Sequence, residues 1–227
     1  MLQAIIFDFN GVISNDEPIH QSAMQKVLEE EGIVTPQEDY FSLYLGRDDR
    51  DCFRIALERS GKAVTPEIIA SLIQRKSVYY RQSIRQGLEV FPGVISFIQQ
   101  AYEHYELAIA SGALRSEIEF VLERLVLRDL FRCVISSHEI EKGKPDPDIF
   151  LKALQGINLS RNHYRPILPS DCLVIEDSLA GIRAALAAGM KCLAVTNTYS
   201  PAELAAAHKV VSSLETNPTL LQSLFSA

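Results

Sequence analysis

Four short stretches of this chain carry residue types that could do chemistry together: Asp8-Phe9-Asn10-Gly11-Val12, Ser111-Gly112, Lys142-Gly143-Lys144-Pro145-Asp146-Pro147 and Glu176-Asp177-Ser178. Carboxylates at 8, 176 and 177 are hard oxygen donors, the ligands that Mg²⁺ prefers while it keeps several of its waters. A hydroxyl at 111, a lysine at 142 or 144 and backbone N–H groups are the donors that phosphate oxygens need. Glycines at 11 and 112 let the backbone turn sharply and approach a ligand closely. An aspartate held beside a metal ion and a lysine stays ionised at neutral pH and can attack phosphorus. Each stretch alone has a plainer reading. An Asp or Ser after a strand is an ordinary helix N-cap, Pro147 suits a first helical position, and an acidic pair is favoured at a helix start. That reading does not explain all four features, in order, each at a strand end.

The elements that position these stretches are visible in the hydrophobic pattern. Candidate strands are Gln3–Phe7, Leu107–Ala110, Cys133–Ile135, Cys172–Ile175 and Lys191–Val195. Each is nearly all apolar instead of alternating, as a strand buried on both faces of a parallel sheet must be. Helical patterns fill the gaps at Val94–Tyr105, Arg115–Leu125, Asp148–Gln155, Leu179–Ala188 and Thr219–Phe225. Strand and helix in alternation predict right-handed crossovers and a doubly wound, three-layer α/β fold. Ligands of such sheets bind in the crevice beyond the carboxyl ends of the strands, where the four polar stretches fall. The segment from Asp16 to Gln86 breaks the alternation, with helical patterns only, at Gln21–Glu31, Arg50–Arg59 and Pro66–Arg85. It reads as a small helical domain over 16–86, inserted in a core made of 1–15 and 87–227. Ile157–Asp171 reads as a surface loop.

At 227 residues the chain suits one ordinary core and a small accessory domain, and 47% hydrophobic with 22% charged residues is a globular composition. A net charge of −7 argues against a basic nucleic-acid-binding face. The opening run MLQAIIFDFNGV lacks a basic leader and is broken by Asp8, so a buried strand is expected there, not a signal peptide. No apolar stretch is long enough to span a bilayer. Cys52, Cys133, Cys172 and Cys192 are scattered singly, which predicts free thiols and neither a zinc site nor a disulfide framework. A cytoplasmic protein with no nucleic-acid or membrane partner fits these features, as a monomer or weak homodimer.

DFNGV, SG, KGKPDP and EDSLAGI, in that order, resemble the four motifs of the haloacid dehalogenase superfamily. An insertion directly after the first motif resembles the helical cap of its β-phosphoglucomutase-like and phosphoglycolate-phosphatase-like branch. The resemblance implies a Rossmann-like catalytic core in which Asp8 forms an aspartyl-phosphate. It implies that Ser111 hydrogen-bonds the phosphoryl group and that Lys144, rather than Lys142, neutralises charge because it directly precedes the proline. It further implies a Mg²⁺ cofactor held by Asp8, the backbone oxygen of Asn10 and Asp177, with Glu176. Within the cap, His20 resembles a hinge position facing the active site. Arg47 and Arg50, in Gly46-Arg47-Asp48-Asp49-Arg50, resemble the place where related caps present cationic groups to the distal part of a substrate. Lys76, on a long cap helix, is a weaker candidate.

One position departs from the family. Its phosphatases and mutases carry an acid–base aspartate where this chain has Asn10. An amide cannot donate and recover a proton at neutral pH, so a step worth about 10²–10⁴-fold would be lost. Dehalogenase and phosphonatase branches also lack this aspartate, but Glu176-Asp177 and the Glu17-Pro18-Ile19-His20 segment favour the phosphatase-like branch. Either the natural chain weakens or reroutes proton transfer, or the chain carries an Asp→Asn change. The expected activity is a Mg²⁺-dependent phosphatase acting on a small phosphorylated metabolite such as a sugar phosphate. A β-phosphoglucomutase-type mutase and a weakened phosphometabolite-binding protein are the alternatives.

Overall fold

The computed structural model describes residues 1–36, 39–45, 47–161, 165–215 and 218–225. Its strands are β1 (Ala4–Phe7), β2 (Glu106–Ala110), β3 (Cys133–Ile135), β4 (Cys172–Glu176), β5 (Lys191–Val195) and β6 (Lys209–Val211). They form one sheet in the order β3-β2-β1-β4-β5-β6, and every pairing is parallel. The helices are α1 (Glu17–Glu30), α2 (Asp49–Arg59), α3 (Pro66–Gln86), α4 (Val94–Tyr102), α5 (Arg115–Arg124), α6 (Asp148–Ser160) and α7 (Leu179–Ala187).

β1 explains why its sequence is apolar without alternation. It is central, with β2 on one side and β4 on the other, and all four of its residues are buried. Ala4 and Ile6 face a cluster that includes Ile149, Phe150 and Ala153 of α6 with Ile182 and Ala185 of α7. Phe7, one position out of phase, points to the other face. There its ring meets Phe97 of α4 and Phe131 edge-on, with centroids 6.1 and 5.9 Å away. Helices therefore cover both faces, which is the doubly wound α/β fold expected from the pattern.

The chain divides into two compact units, Met1–Asn15 with Val90–Ala227, and Asp16–Glu89. The second junction thus falls at Val90, three residues beyond the position read from the sequence. Within the sheet-bearing unit the two ends of the insertion are neighbours. Ser14 bridges Val90 in antiparallel sense, and the Phe91 N–H donates to the Ile13 carbonyl at 3.3 Å. The helical unit holds α1, α2, α3 and a π-helical turn at Tyr40–Tyr44. Asp48 caps α2 by accepting from the Asp51 N–H, and Thr65 caps α3 by accepting from the Ile68 N–H. Its core is its own, built on Val27, Leu28, Phe53, Leu57 and Leu72.

Three details differ from the sequence reading. β6 was not expected. α6 continues to Ser160 and so occupies the start of what reads as a loop at Ile157–Asp171, of which residues 162–164 lie outside the described residues. Pro218–Phe225 is helical, as the pattern at Thr219–Phe225 suggests, but of the tighter 3₁₀ kind and one residue longer. All four cysteines are free.

Candidate active site

Sheet order and register decide which side chains meet. From β1 the chain builds β2 and β3 to one side, then crosses to β4 on the other, so the strand order reverses between β1 and β4. That reversal is the switch point at which an open α/β sheet leaves a crevice. Phe7 is in register with Ile109 and Ile175, and Ala110 with Ile135. The strands therefore end level, and Asp8, Ser111, Glu176 and Asp177 emerge side by side. The Asp8 N–H still donates to the Ile175 carbonyl at 2.9 Å, and the Ser111 N–H to Ile135 at 3.0 Å.

Asp8, Glu176 and Asp177 are buried, and each offers a carboxylate oxygen within 4.8 Å of the other two. Lys144 Nζ lies 2.8 Å from Asp8 Oδ1 and 2.6 Å from Glu176 Oε1. Glu176 is folded back onto its own turn. Its Oε2 accepts from the N–H groups of Asp177 and Ser178 and from the Ser178 hydroxyl, all at 2.9 Å. Ser178 is the N-cap of α7 and accepts from Gly181 N–H. Glu176 thus spends its oxygens on Lys144 and the turn, while Asp8 and Asp177 keep oxygens for a ligand. Lys142 is exposed.

The electrostatics follow from burial. Desolvation pushes the Asp8 carboxyl up to about 6, with Lys144 pulling it back and Glu176 adding to the rise. Asp177 is raised well above the usual carboxylate range by burial first and by Glu176 and Asp8 next. Burial alone would lower Lys144, but Asp8 and Glu176 outweigh it and hold the ammonium charged. With all three carboxyls ionised, the cluster outnumbers its one ammonium by two negative charges in a buried place, and that is the charge a cation would offset. Asp8 Oδ1 is buried, and its contact at hand is the Lys144 ammonium at 2.8 Å. A divalent cation with oxygen preference fits this donor set in charge and in chemistry.

The remaining predicted residues distribute as follows. Ser111 is buried, its hydroxyl 3.4 Å from Asn10 Oδ1 and accepting from the Ala113 N–H at 3.3 Å. Gly11 has φ +78°, and a Cβ there would lie 2.0 Å from Asp177 Oδ2, so glycine is required on both counts. Gly112 follows Ser111 but does not adopt a left-handed φ. His20, Arg47 and Arg50 belong to the helical unit. His20 is buried and stacks on Tyr80 at 4.4 Å, with Nδ1 2.9 Å from Lys76 Nζ, Nε2 3.6 Å from Asp16 Oδ2 and Lys76 paired to Asp49. It is therefore no solvated helix-start histidine. Arg47 and Arg50 are exposed, and Gly46 lies outside the described residues.

Two residues at the site escaped the sequence reading. Asn197 Nδ2 donates to the Gly11 carbonyl at 2.7 Å, and the Thr198 hydroxyl donates to Asp177 Oδ2. Thr196-Asn197-Thr198 is a polar run directly after a strand, as the runs beginning at Asp8, Ser111 and Asp177 are.

Comparison with known proteins agrees with this fold. β-Phosphoglucomutase of Bacillus subtilis is 30% identical over 195 residues, 83% of this chain and 81% of that protein. A phosphorylated carbohydrates phosphatase of Thermotoga maritima is 29% identical over 196 residues, 84% of this chain and 83% of that protein. The crystal structure of β-phosphoglucomutase from Clostridium difficile superposes with a TM-score of 0.86 at 26% identity, covering 99% of this chain and 97% of that one. The profile of the haloacid dehalogenase-like hydrolases matches residues 5–195. With that match running from inside β1 to the end of β5, across every strand end that builds the site, the chain belongs to the haloacid dehalogenase-like hydrolase family.

Proposed function

We propose that this protein is a Mg²⁺-dependent phosphoric monoester hydrolase acting on a small phosphorylated metabolite, in particular a sugar phosphate, with Asp8 as nucleophile. The observation that carries the reading is the meeting of Asp8, Lys144 and Asp177 at the switch point of the sheet. The names of the two curated relatives, one a phosphatase and one a mutase of phosphorylated carbohydrates, support the substrate class.

In this reading Asp8 attacks phosphorus in line with the ester oxygen. The Asp8 O–P bond forms as the P–O bond to the leaving group breaks, and the departing alkoxide takes its proton from water. Water then attacks the aspartyl-phosphate, releasing inorganic phosphate and restoring the carboxylate. Lys144 keeps the attacking oxygen and the phosphoryl group from repelling each other, and Glu176 aims Lys144. Ser111 supplies a donor hydroxyl beside Asn10. Asp8, Asp177 and the backbone oxygen of Asn10 would hold Mg²⁺, which when bound offsets the charge gathered on phosphoryl oxygens and carboxylates. Asn10 can hydrogen-bond but cannot pass a proton to the leaving oxygen. Substrate choice falls to the helical unit, with the exposed Arg47 and Arg50 as its cationic candidates.

A mutase reading is favoured by the likeness to two β-phosphoglucomutases, but Asn10 counts against it because returning the phosphoryl group to the sugar leans harder on acid–base chemistry. A panel of metabolite phosphates, run with and without Mg²⁺ beside Asn10→Asp, decides the matter. Mg²⁺-dependent phosphate release is expected, faster by roughly 10²-fold or more in the variant. No release from either protein overturns the proposal, and isomerisation of a hexose phosphate without release favours the mutase.

A further inference from the structure

The loop after β5 reaches two parts of the site that Lys144 does not touch, Asp177 and the Gly11 carbonyl. Glu176 is in register with Ala194, so the chain leaves β5 beside Asp177, and the Thr196 N–H is tied to the Val211 carbonyl of β6 at 3.0 Å. That anchorage fixes the starting point of the two residues that follow. Asn197 and Thr198, both half-buried, then turn toward the first and last of the site's turns. The Thr198 hydroxyl donates to Asp177 Oδ2, and Asn197 Nδ2 donates to the Gly11 carbonyl at 2.7 Å. Gly11 also presses its backbone against the same carboxylate, since even a methyl group at 11 would overlap Oδ2. Asp177 is thus held between a hydroxyl and a peptide, with one oxygen taken and its plane fixed.

We propose that Thr198 and Asn197 are positioning residues of the divalent-cation site. Thr198 selects which oxygen of Asp177 ligates the cation, by engaging Oδ2 and leaving Oδ1 to it. Asn197 pins the Asp8–Gly11 turn, so that the nucleophile and the Asn10 backbone oxygen keep their distance from Asp177. Residues that orient metal ligands in this way change affinity on the order of 10–100-fold when removed. The inference rests on the reading of Asp8 and Asp177 as Mg²⁺ ligands, and its test separates the two.

Mg²⁺ affinity is measured by titration calorimetry on the whole protein, for the parent, Thr198→Val, Thr198→Ser and Asn197→Ala, with Asp177→Ala as the control that removes a ligand. Thr198→Val keeps the shape and deletes the hydroxyl. It is expected to weaken Mg²⁺ binding on the order of 10–100-fold, with a metal-free melting temperature close to the parent's, while Thr198→Ser restores parental affinity. Asn197→Ala is expected to weaken binding as well. Equal affinity in Thr198→Val and the parent overturns the inference. So does a weakened affinity that Thr198→Ser fails to restore, because the loss then belongs to packing and not to the hydroxyl. If the parent itself binds no Mg²⁺, the underlying reading of the metal ligands is overturned, and this inference with it.

Discussion

At the scale of the residue, the site concentrates like charge where water is scarce, and two groups respond. Burial raises Asp8 to about 6 and lifts Asp177 further from its ordinary range. A carboxyl that holds its proton more tightly when folded than when unfolded stabilises the fold at low pH. Without metal, stability should therefore fall as pH rises from the ordinary carboxylate value near 3.8 through about 6, and further as Asp177 follows. Mg²⁺ competes with those protons. The rise in melting temperature on adding Mg²⁺ should be small at about pH 5 and larger at about pH 7.5, where Asp8 has given up its proton and less must be displaced. A shift independent of pH would remove Asp8 and Asp177 from the metal site. Asn10 sets the other residue-scale expectation. The gain from Asn10→Asp should be smallest for aryl phosphates, whose leaving groups depart without a proton. It should be largest for alkyl and sugar phosphates, whose alkoxides do not. Steady-state turnover on one substrate of each class, in both proteins, measures the difference.

At the scale of the element, turns decide whether the strands deliver their residues. Gly11 and Gly61 both have positive φ, at +78° and +68°, but only Gly11 has a carboxylate where a Cβ would go. Gly61→Ala should cost about 1–2 kcal/mol of backbone strain and leave Mg²⁺ binding intact. Gly11→Ala carries the same strain and must also displace Asp177, so Mg²⁺-induced stabilisation should be lost. Thermal melts of the two variants with and without Mg²⁺ distinguish strain from site damage, and equal behaviour would mean that Asp177 is not needed. The same turns explain what could be read from the sequence. β1 and β4 are legible because burial on both faces leaves no polar residue in the run, and the polar residue that ends each run is the one that matters. β6 was missed because Lys209-Val210-Val211 is only three residues long and half exposed at a sheet edge, where little burial is required. α6 outran its expected end because Ile157 continues its buried stripe. Asn197 and Thr198 were missed for a different reason: their role lies in which atoms they touch, and threonine and asparagine after a strand look like any turn. His20 could be flagged only by its resemblance to a cap-hinge position of the family, and its burial against Tyr80 and Lys76 depends on helices far apart in sequence.

At the scale of the whole molecule, the proposed metal ligands, the nucleophile and Lys144 all belong to the sheet-bearing unit, and the helical unit has a hydrophobic core of its own. The sheet-bearing unit closes on itself where the insertion leaves it, through the Ser14–Val90 bridge and the hydrogen bond between Phe91 and Ile13. A variant in which residues 16–89 are replaced by a short Gly/Ser linker should therefore fold and keep its Mg²⁺-dependent stabilisation. It should lose preference among phosphorylated substrates and hydrolyse small aryl phosphates indiscriminately. Circular dichroism melts with Mg²⁺ and a comparison of rates across substrates check this, and a variant that unfolds would show that the sheet depends on its insertion. A bridge that brings the two ends of an insertion together also acts as a socket. Helical units of other lengths or sequences could be grafted between positions 15 and 90 without breaking a single hydrogen bond of the sheet. Substrate preference in this protein could then be re-engineered by exchanging a module, with the bond-breaking machinery left as it stands.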